Sequence, residues 1–565
     1  MSLPRFHRLP PSLLAMLLGL AMASCGGDSQ PGSTPQTEVP TSPGLTVDCE
    51  GPRCGATDAH RYAGAGVAVW QYTNATAANV EVPVRIDGIP GRDVQLVFAN
   101  LGKTPQSMPP LALAARSPYP VDLLPAPAQV SRASVSRLAS IRPAARLNAG
   151  HRQRPASRLS DVLHRATAVP EATAPHDEAP GSTRSWLVQQ SGDVMDVSER
   201  RVTLARRQHA PDGRVVNLWM EDGQLESGLV TAGQLDKLIE RFAVGPASIY
   251  ARVSDIAGPP WGPHSRAGLI PADQPLDIVF VTGIASMAQA YVRIDDFPLR
   301  PTDPAPDDPR RTSNAALSIV MSVETLYTSL YPRNYEPAAS VLAHEMTHLA
   351  NVYRRGIQRG DDDYRHAVWL EETTALMMQD ILFDPERDTL HEIRDSALFA
   401  WMVLGSEGGF NCDLARYSND PSELCVSFPV QGAFGAYLLR HYGLAFYRDL
   451  LRNMSSTDSW EMLNDAIRQA DGPGLTVALR RFSAAIALLP AGTSPPGYGF
   501  PERRESGYTL VPLDGSLDAD TPLPGSLPEQ LVPHGFFATA RPNMRGTYLE
   551  TITVPPGTAL SVVVR

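Results

Sequence analysis

Ala343-His344-Glu345-Met346-Thr347-His348-Leu349 places two histidines four residues apart, with a glutamate directly after the first. On a helix, positions i and i+4 lie one turn apart on one face, so His344 and His348 can reach a common metal ion. Glu345 points from nearly the same face. Two imidazoles on zinc with a carboxylate as general base is the arrangement used by zinc hydrolases. The flanking Ala343, Met346, Thr347, Leu349 and Ala350 are uncharged, as a helix buried at the base of a cleft requires, and Val341 and Leu342 supply an apolar back face. The competing reading is a half-buried helix that carries these residues without chemistry.

A catalytic zinc needs a third protein ligand and one open position. The metzincin pattern would continue with Gly at 351 and His at 354, but the chain has Asn351 and Arg354, which excludes it. Downstream stands Trp369-Leu370-Glu371-Glu372-Thr373-Thr374-Ala375. It resembles the W-L-x-E-G segment that gives the glutamate-ligand zinc peptidases, the gluzincins, their third ligand. The resemblance makes Glu372 that ligand and Glu371 its neighbour. His366 is a rival, although it follows the charged run Asp361-Asp362-Asp363. That triplet reads as a solvated turn, with a calcium site as a second reading. Thr373 stands where the pattern has Gly, and a local packing change around an intact site is expected.

The order of a β lobe, the HExxH helix, W-L-x-E and a helical lobe is similar to the hyicolysin-like secreted neutral metallopeptidases, over about residues 186–565. The resemblance implies an α+β fold: a β-rich N-terminal lobe and a helical C-terminal lobe around a zinc-binding helix, zincin-like. It also implies one catalytic zinc on His344, His348 and Glu372, with Glu345 as general base, and a polypeptide substrate. Gluzincins stabilise the oxyanion with a Tyr or His from the helical lobe. Phe428 to Tyr437 resembles their Y-x-x-G helix start, but Pro429 occupies the tyrosine position. The donor is therefore unassigned among Tyr417, Tyr437 and His441. Asp380 is the nearest acid available to hold a histidine ring. The alternative function is a surface-anchored binding or adhesion protein with a non-catalytic zinc.

At 565 residues the chain exceeds one ordinary core. A net charge of −11 and a pI near 5.7 argue against nucleic acid as a partner of the whole molecule. Arg5, His7 and Arg8, an apolar core from Leu13 to Ala21, and small residues leading to Cys25 read as an export signal. Met22-Ala23-Ser24-Cys25 resembles a bacterial lipobox, which implies cleavage before Cys25, lipid on its thiol and attachment to the outer membrane. The remaining four cysteines suit an oxidising compartment, paired locally as Cys49 with Cys54 and Cys412 with Cys425.

The expected division is a signal peptide over 1–24, a Pro/Ser/Gly-rich tether over 25–60, a small β unit over 61–115 and a linker over 116–184. A metallopeptidase domain over 185–496 and a C-terminal β appendage over 497–565 follow. In the linker nine arginines from Arg116 to Arg165 face Asp122 and Asp161, and few large apolar residues are present. Within the main domain, Val194–Leu204 and Val215–Trp219 read as strands joined by a turn at Asp212-Gly213. Thr231 with Gln234 forms a capping box. Leu276–Val281 reads as a buried strand and Ala315–Leu330 as a helix. The zinc helix opens at Pro337 and ends at Gly356. Further helices are expected from Val368 and over 392–404, 430–442, 444–453, 459–470 and 475–488.

Overall fold

The computed structural model describes residues 43–113, 178–191, 195–284, 289–327, 335–359, 364–388, 391–404, 408–416, 427–488, 494–513 and 523–565. The segment expected to be a signal peptide, Cys25, most of the expected linker, Asp361–Asp363, Tyr417 and Cys425 lie outside them. Six strands form a mixed sheet in the order Ala290–Val292, Leu317–Ser322, Leu276–Val281, Val215–Glu221, Val197–His209, Thr183–Gln189. Leu276–Val281 is parallel to both neighbours. Its unbroken apolar run follows from burial on two faces: Leu276, Ile278 and Phe280 join the helical core, while Val279 and Val281 pack with Trp186 and Trp219 on the other side. The Asp212-Gly213 turn joins Val197–His209 to Val215–Glu221, with Gly213 at φ 89°.

Ala315–Leu330 is not a helix. Leu317–Ser322 is a strand and Val323–Leu326 a single 3₁₀ turn, started by the Ser322 side chain accepting from the Glu324 N–H. Leu317, Val320 and Met321 fit a helical spacing, but a six-residue stretch buried on both faces, with β-branched Ile319 and Val320, is what an interior strand needs.

Helix α1 (Ala232–Ala243) opens with the expected capping box and buries Leu235, Leu238, Ile239 and Phe242. It is followed by α2 (Ile249–Ala257), α3 (Glu336–Asn351) and α4 (Val368–Leu382). Nearly every residue of α3 from Ala338 and of α4 from Trp369 is buried, consistent with sequences that carry few charges on any face. α3 packs against α2, α4 and the edge strand Ala290–Val292. It does not end at Gly356 but continues as π turns over Val352–Gln358. There the buried Arg355 donates to the carbonyls of Leu450, Leu451 and Asn453 at 3.0, 3.1 and 2.8 Å, satisfying the open end of the next helix. That helix, α5 (Ser427–Arg452), breaks at Gly443 (φ 82°, ψ −172°), giving the two expected segments. α5 approaches α4 closely because Gly435 lacks a side chain: a Cβ there would lie 3.2 Å from Thr373 Cγ2 and 2.8 Å from Met377 Cγ. The methyl of Thr373 occupies the space that Gly435 leaves. α6 (Ser459–Gln469) and α7 (Leu475–Ser483) complete the helical half.

The β segments at the two chain ends are not separate units. They form one seven-stranded sheet, ordered Thr46–Val47, Ala68–Thr73, Thr558–Val564, Val80–Asn100, Arg61–Tyr62, Ala56–Asp58, with Phe536–Val554 also paired to Val80–Asn100. The expected tether likewise gives way to ordered chain before residue 60, with strands from Thr46 and a Cys49–Cys54 disulfide. Period-two patterning marks a strand but carries no information about its partner, which here lies more than four hundred residues away. Residues Pro43–Arg565 group as one compact unit.

Asp380 of α4 and Arg440 of α5 are fully buried and joined by two bonds of 2.5 and 3.1 Å, with His391 Nε2 3.0 Å from Asp380 Oδ1. Burial alone would raise the Asp380 pKa, but Arg440 and His391 more than reverse this and hold it at about 2. The folded value lies below the unfolded value of about 3.9. The contribution is therefore complete above that pH and is lost as pH falls through the folded value. Asp380→Asn leaves a buried guanidinium without its counter-charge and is expected to cost about 3–5 kcal/mol in urea unfolding at neutral pH. The gap from wild type should narrow as the medium is acidified through the Asp380 pKa.

Candidate active site

α3 and α4 cross so that His344, His348 and Glu372 converge. His344 Nε2 and His348 Nε2 lie 3.0 Å apart, and Glu372 Oε2 is 3.3 Å from the first and 3.8 Å from the second. Among the described residues, this is the set whose ligand atoms gather within 4.8 Å of one another and could hold a metal ion. The backs of the rings decide whether the set fits one. His344 Nδ1 lies 3.0 Å from Gln379 Oε1, and His348 Nδ1 lies 3.0 Å from Glu371 Oε1. An acceptor at Nδ1 places the proton there and leaves the Nε2 lone pair directed at the shared point. Two such lone pairs and a carboxylate oxygen are a metal-binding donor set.

Glu371 organises this floor. Its Oε1 also accepts from Asn351 Nδ2 at 3.2 Å, and its Oε2 lies 3.3 Å from His366 Nδ1. His366 is thus not a third ligand; it stands on the far side of Glu371. Asn351 holds Glu371 from the position where a metzincin would have glycine. Gln379 spans the helix crossing, donating through Nε2 to Ser340 Oγ at 2.9 Å. Asp380 is committed to Arg440 and His391 and holds neither site histidine. The residues that do were missed in the sequence, although two signals were present. Glu371 adjoins Glu372, and Gln379 lies seven residues beyond Glu372, two turns along the same face.

Glu345, His348 and Glu372 are fully buried, and His344 retains 5 % exposure. Burial by itself would lower the His344 pKa, but the bond to Glu372, the charges of Glu372 and Glu345, and Gln379 outweigh it and leave the pKa raised. The carboxylates that favour a proton on His344 also favour a metal cation in its place.

The ring of Phe428, in the first turn of α5, lies 6.1 Å from that of His344. The start of this helix therefore faces the cluster. Tyr437 and His441, further along, do not join it. The Tyr437 hydroxyl donates to the Gly497 carbonyl at 3.0 Å, and His441 Nε2 lies 3.0 Å from the Gly499 carbonyl. Burial raises the Tyr437 pKa well above its usual value and lowers that of His441 to about 4. Both are packing residues held to another segment. Cys412 is disulfide-bonded.

Residues 196–565, well over half of the chain, match the family model of peptidase M30. The chain belongs to the peptidase M30 family. Its members are metallopeptidases, so this protein is a peptidase and its substrates are polypeptides. The match also favours the peptidase over an adhesion protein with an inert metal. Residues 48–113 match a separate model, a domain of unknown function (DUF8571). No curated protein matches the chain.

Removing the support behind either ring should loosen the site without touching a ligand. Glu371→Ala and Gln379→Ala are each expected to weaken metal affinity by about 10–100-fold, measured by competition with a chromogenic chelator.

Proposed function

We propose that the protein is an exported zinc endopeptidase of the glutamate-ligand type, with His344, His348 and Glu372 as metal ligands and Glu345 as general base. The observation that carries this reading is the convergence of His344 Nε2, His348 Nε2 and Glu372 Oε2, with both Nδ1 atoms secured from behind. Two imidazoles and one carboxylate are a common catalytic zinc set with a position left open. Zinc bound there supplies a Lewis acid that polarises the scissile carbonyl and acidifies water. Glu345 follows His344 directly on α3, and its charge acts on that ring, so it would serve as the base for a water activated there. It takes the water's proton during attack and hands it to the leaving amine.

The frame suits a zincin-like arrangement: α3 packs against two strands of the mixed sheet, Ala290–Val292 and Leu317–Ser322, and against helices α2 and α4. Ala290–Val292 is the edge strand of that sheet and packs against α3. The charged N-terminus, the apolar core up to Ala21 and the Met22–Cys25 segment support export with lipid on Cys25. The Cys49–Cys54 disulfide supports an oxidising compartment.

Glu345→Gln is expected to retain about one zinc per chain, as the intact ligand set implies, and to lose about 10²–10⁴-fold in kcat/KM on casein or a peptide library. Wild-type turnover by that variant would overturn the base assignment. Cys25→Ser is expected to abolish incorporation of radiolabelled palmitate and move the protein from the membrane to the soluble fraction. Unchanged labelling would remove the lipid anchor.

A further inference from the structure

We propose that residues 43–113 are the strand donor that completes the peptidase, a folded part of the enzyme that stays bound when the chain between 113 and 178 is cut. This gives the domain of unknown function a role. Within the described residues, the last two strands of the family-matched region pair with no strand of that region. Phe536–Val554 runs antiparallel to Val80–Asn100 along its whole length, from Phe536 opposite Ala99 to Val554 opposite Val80. Thr558–Val564 lies between Ala68–Thr73 and residues 94–100. Take residues 43–113 away and both strands lose their entire ladders, leaving Thr558–Val564, buried at every position, with unpaired backbone groups.

Side chains close the same joint. The Asn100 side-chain amide donates to the carbonyls of Leu531 and Val532, both at 3.0 Å, and that of Asn74 donates to the Val554 carbonyl at 2.9 Å. Both asparagines are fully buried. Val82, Val84 and Phe98 share a core cluster with Phe537, Ile552 and Val562. The other face of the sheet reaches the catalytic half: Val67, Val69, Val97 and Ala99 belong to the core that includes Leu342, Met346 and Leu349 of α3. Asp48 locks onto α7 through Arg480 at 2.5 Å and Arg481 at 3.0 Å, and accepts from the Tyr498 hydroxyl. A joint made of two ladders, a shared core and a charge lock does not depend on chain continuity, which adds only effective concentration.

The test uses the full-length chain with a site-specific protease sequence inserted between residues 113 and 178. After cutting in native buffer, the two pieces are expected to co-elute on size exclusion, with metal content and casein hydrolysis unchanged. On urea titration, release of the small piece and loss of metal are expected in one transition. Adding Asp48→Ala to the cut protein should release the small piece at lower urea, whereas Glu50→Ala, on the exposed rim, should not. Separation of the pieces in native buffer, with the large piece still folded and metal-loaded, would overturn the proposal. Co-elution is read without catalysis, so failure of the zinc peptidase mechanism leaves this test intact.

Discussion

The crossing of α3 and α4 brings several carboxylates together where water is excluded. Glu345 on α3 and the adjacent Glu371 and Glu372 on α4 are all buried where the two helices pack. Buried charge of one sign is costly unless it is matched, and a metal ion at the histidine cluster is the counter-charge that such a site calls for. Glu371 is matched differently, by His348, His366 and Asn351 around its two oxygens. One glutamate thus faces the two histidine Nε2 atoms, and its neighbour holds His348 from behind. The pair Glu371–Glu372 works because adjacent helix residues point about a quarter-turn apart, so one faces into the site and the other supports His348 from behind.

That geometry is useful only if the helices cannot slide. Three devices fix them. Gly432 and Gly435 let α5 settle against its neighbours, with the Thr373 methyl filling the gap over Gly435. Arg440 clamps Asp380 between α5 and α4. Arg355, on the π turns that extend α3, seizes the carbonyl end of α5. Its pKa is pushed down to about 10 by burial, yet the guanidinium remains a five-donor fork well suited to several carbonyls at once. Thr373 stands where the gluzincin pattern has glycine, and Glu372 still meets the two histidines because the bulk of Thr373 is absorbed on the α5 side.

The two-ended sheet ties the catalytic half to chain that a linear reading assigns elsewhere. Its cross-sheet contacts span more than four hundred residues, so the sheet cannot close until both ends are available. Buried asparagines at the joint specify register as well as adding stability, because each meets a particular carbonyl across it.

Much of the site was legible in the sequence because its chemistry is local. His344, Glu345 and His348 lie within one turn, Asn351 and Arg354 excluded one continuation, and the W-L-x-E resemblance supplied Glu372. The capping box, the buried strand Leu276–Val281 and the break at Gly443 were equally local and are found where expected. What the sequence left open was whatever depends on which elements meet. Asp380 could not be told from Gln379 as a histidine partner until α3 and α4 were crossed, since only one of two adjacent residues faces the ring. Tyr437 and His441 read as oxyanion candidates until the 497–499 segment was seen to hold them. Leu317–Met321 fits either period until burial on both faces selects a strand. The β segments at the two ends looked independent for the same reason: alternation determines which face of a strand is apolar, and only the fold decides which strand lies beside it.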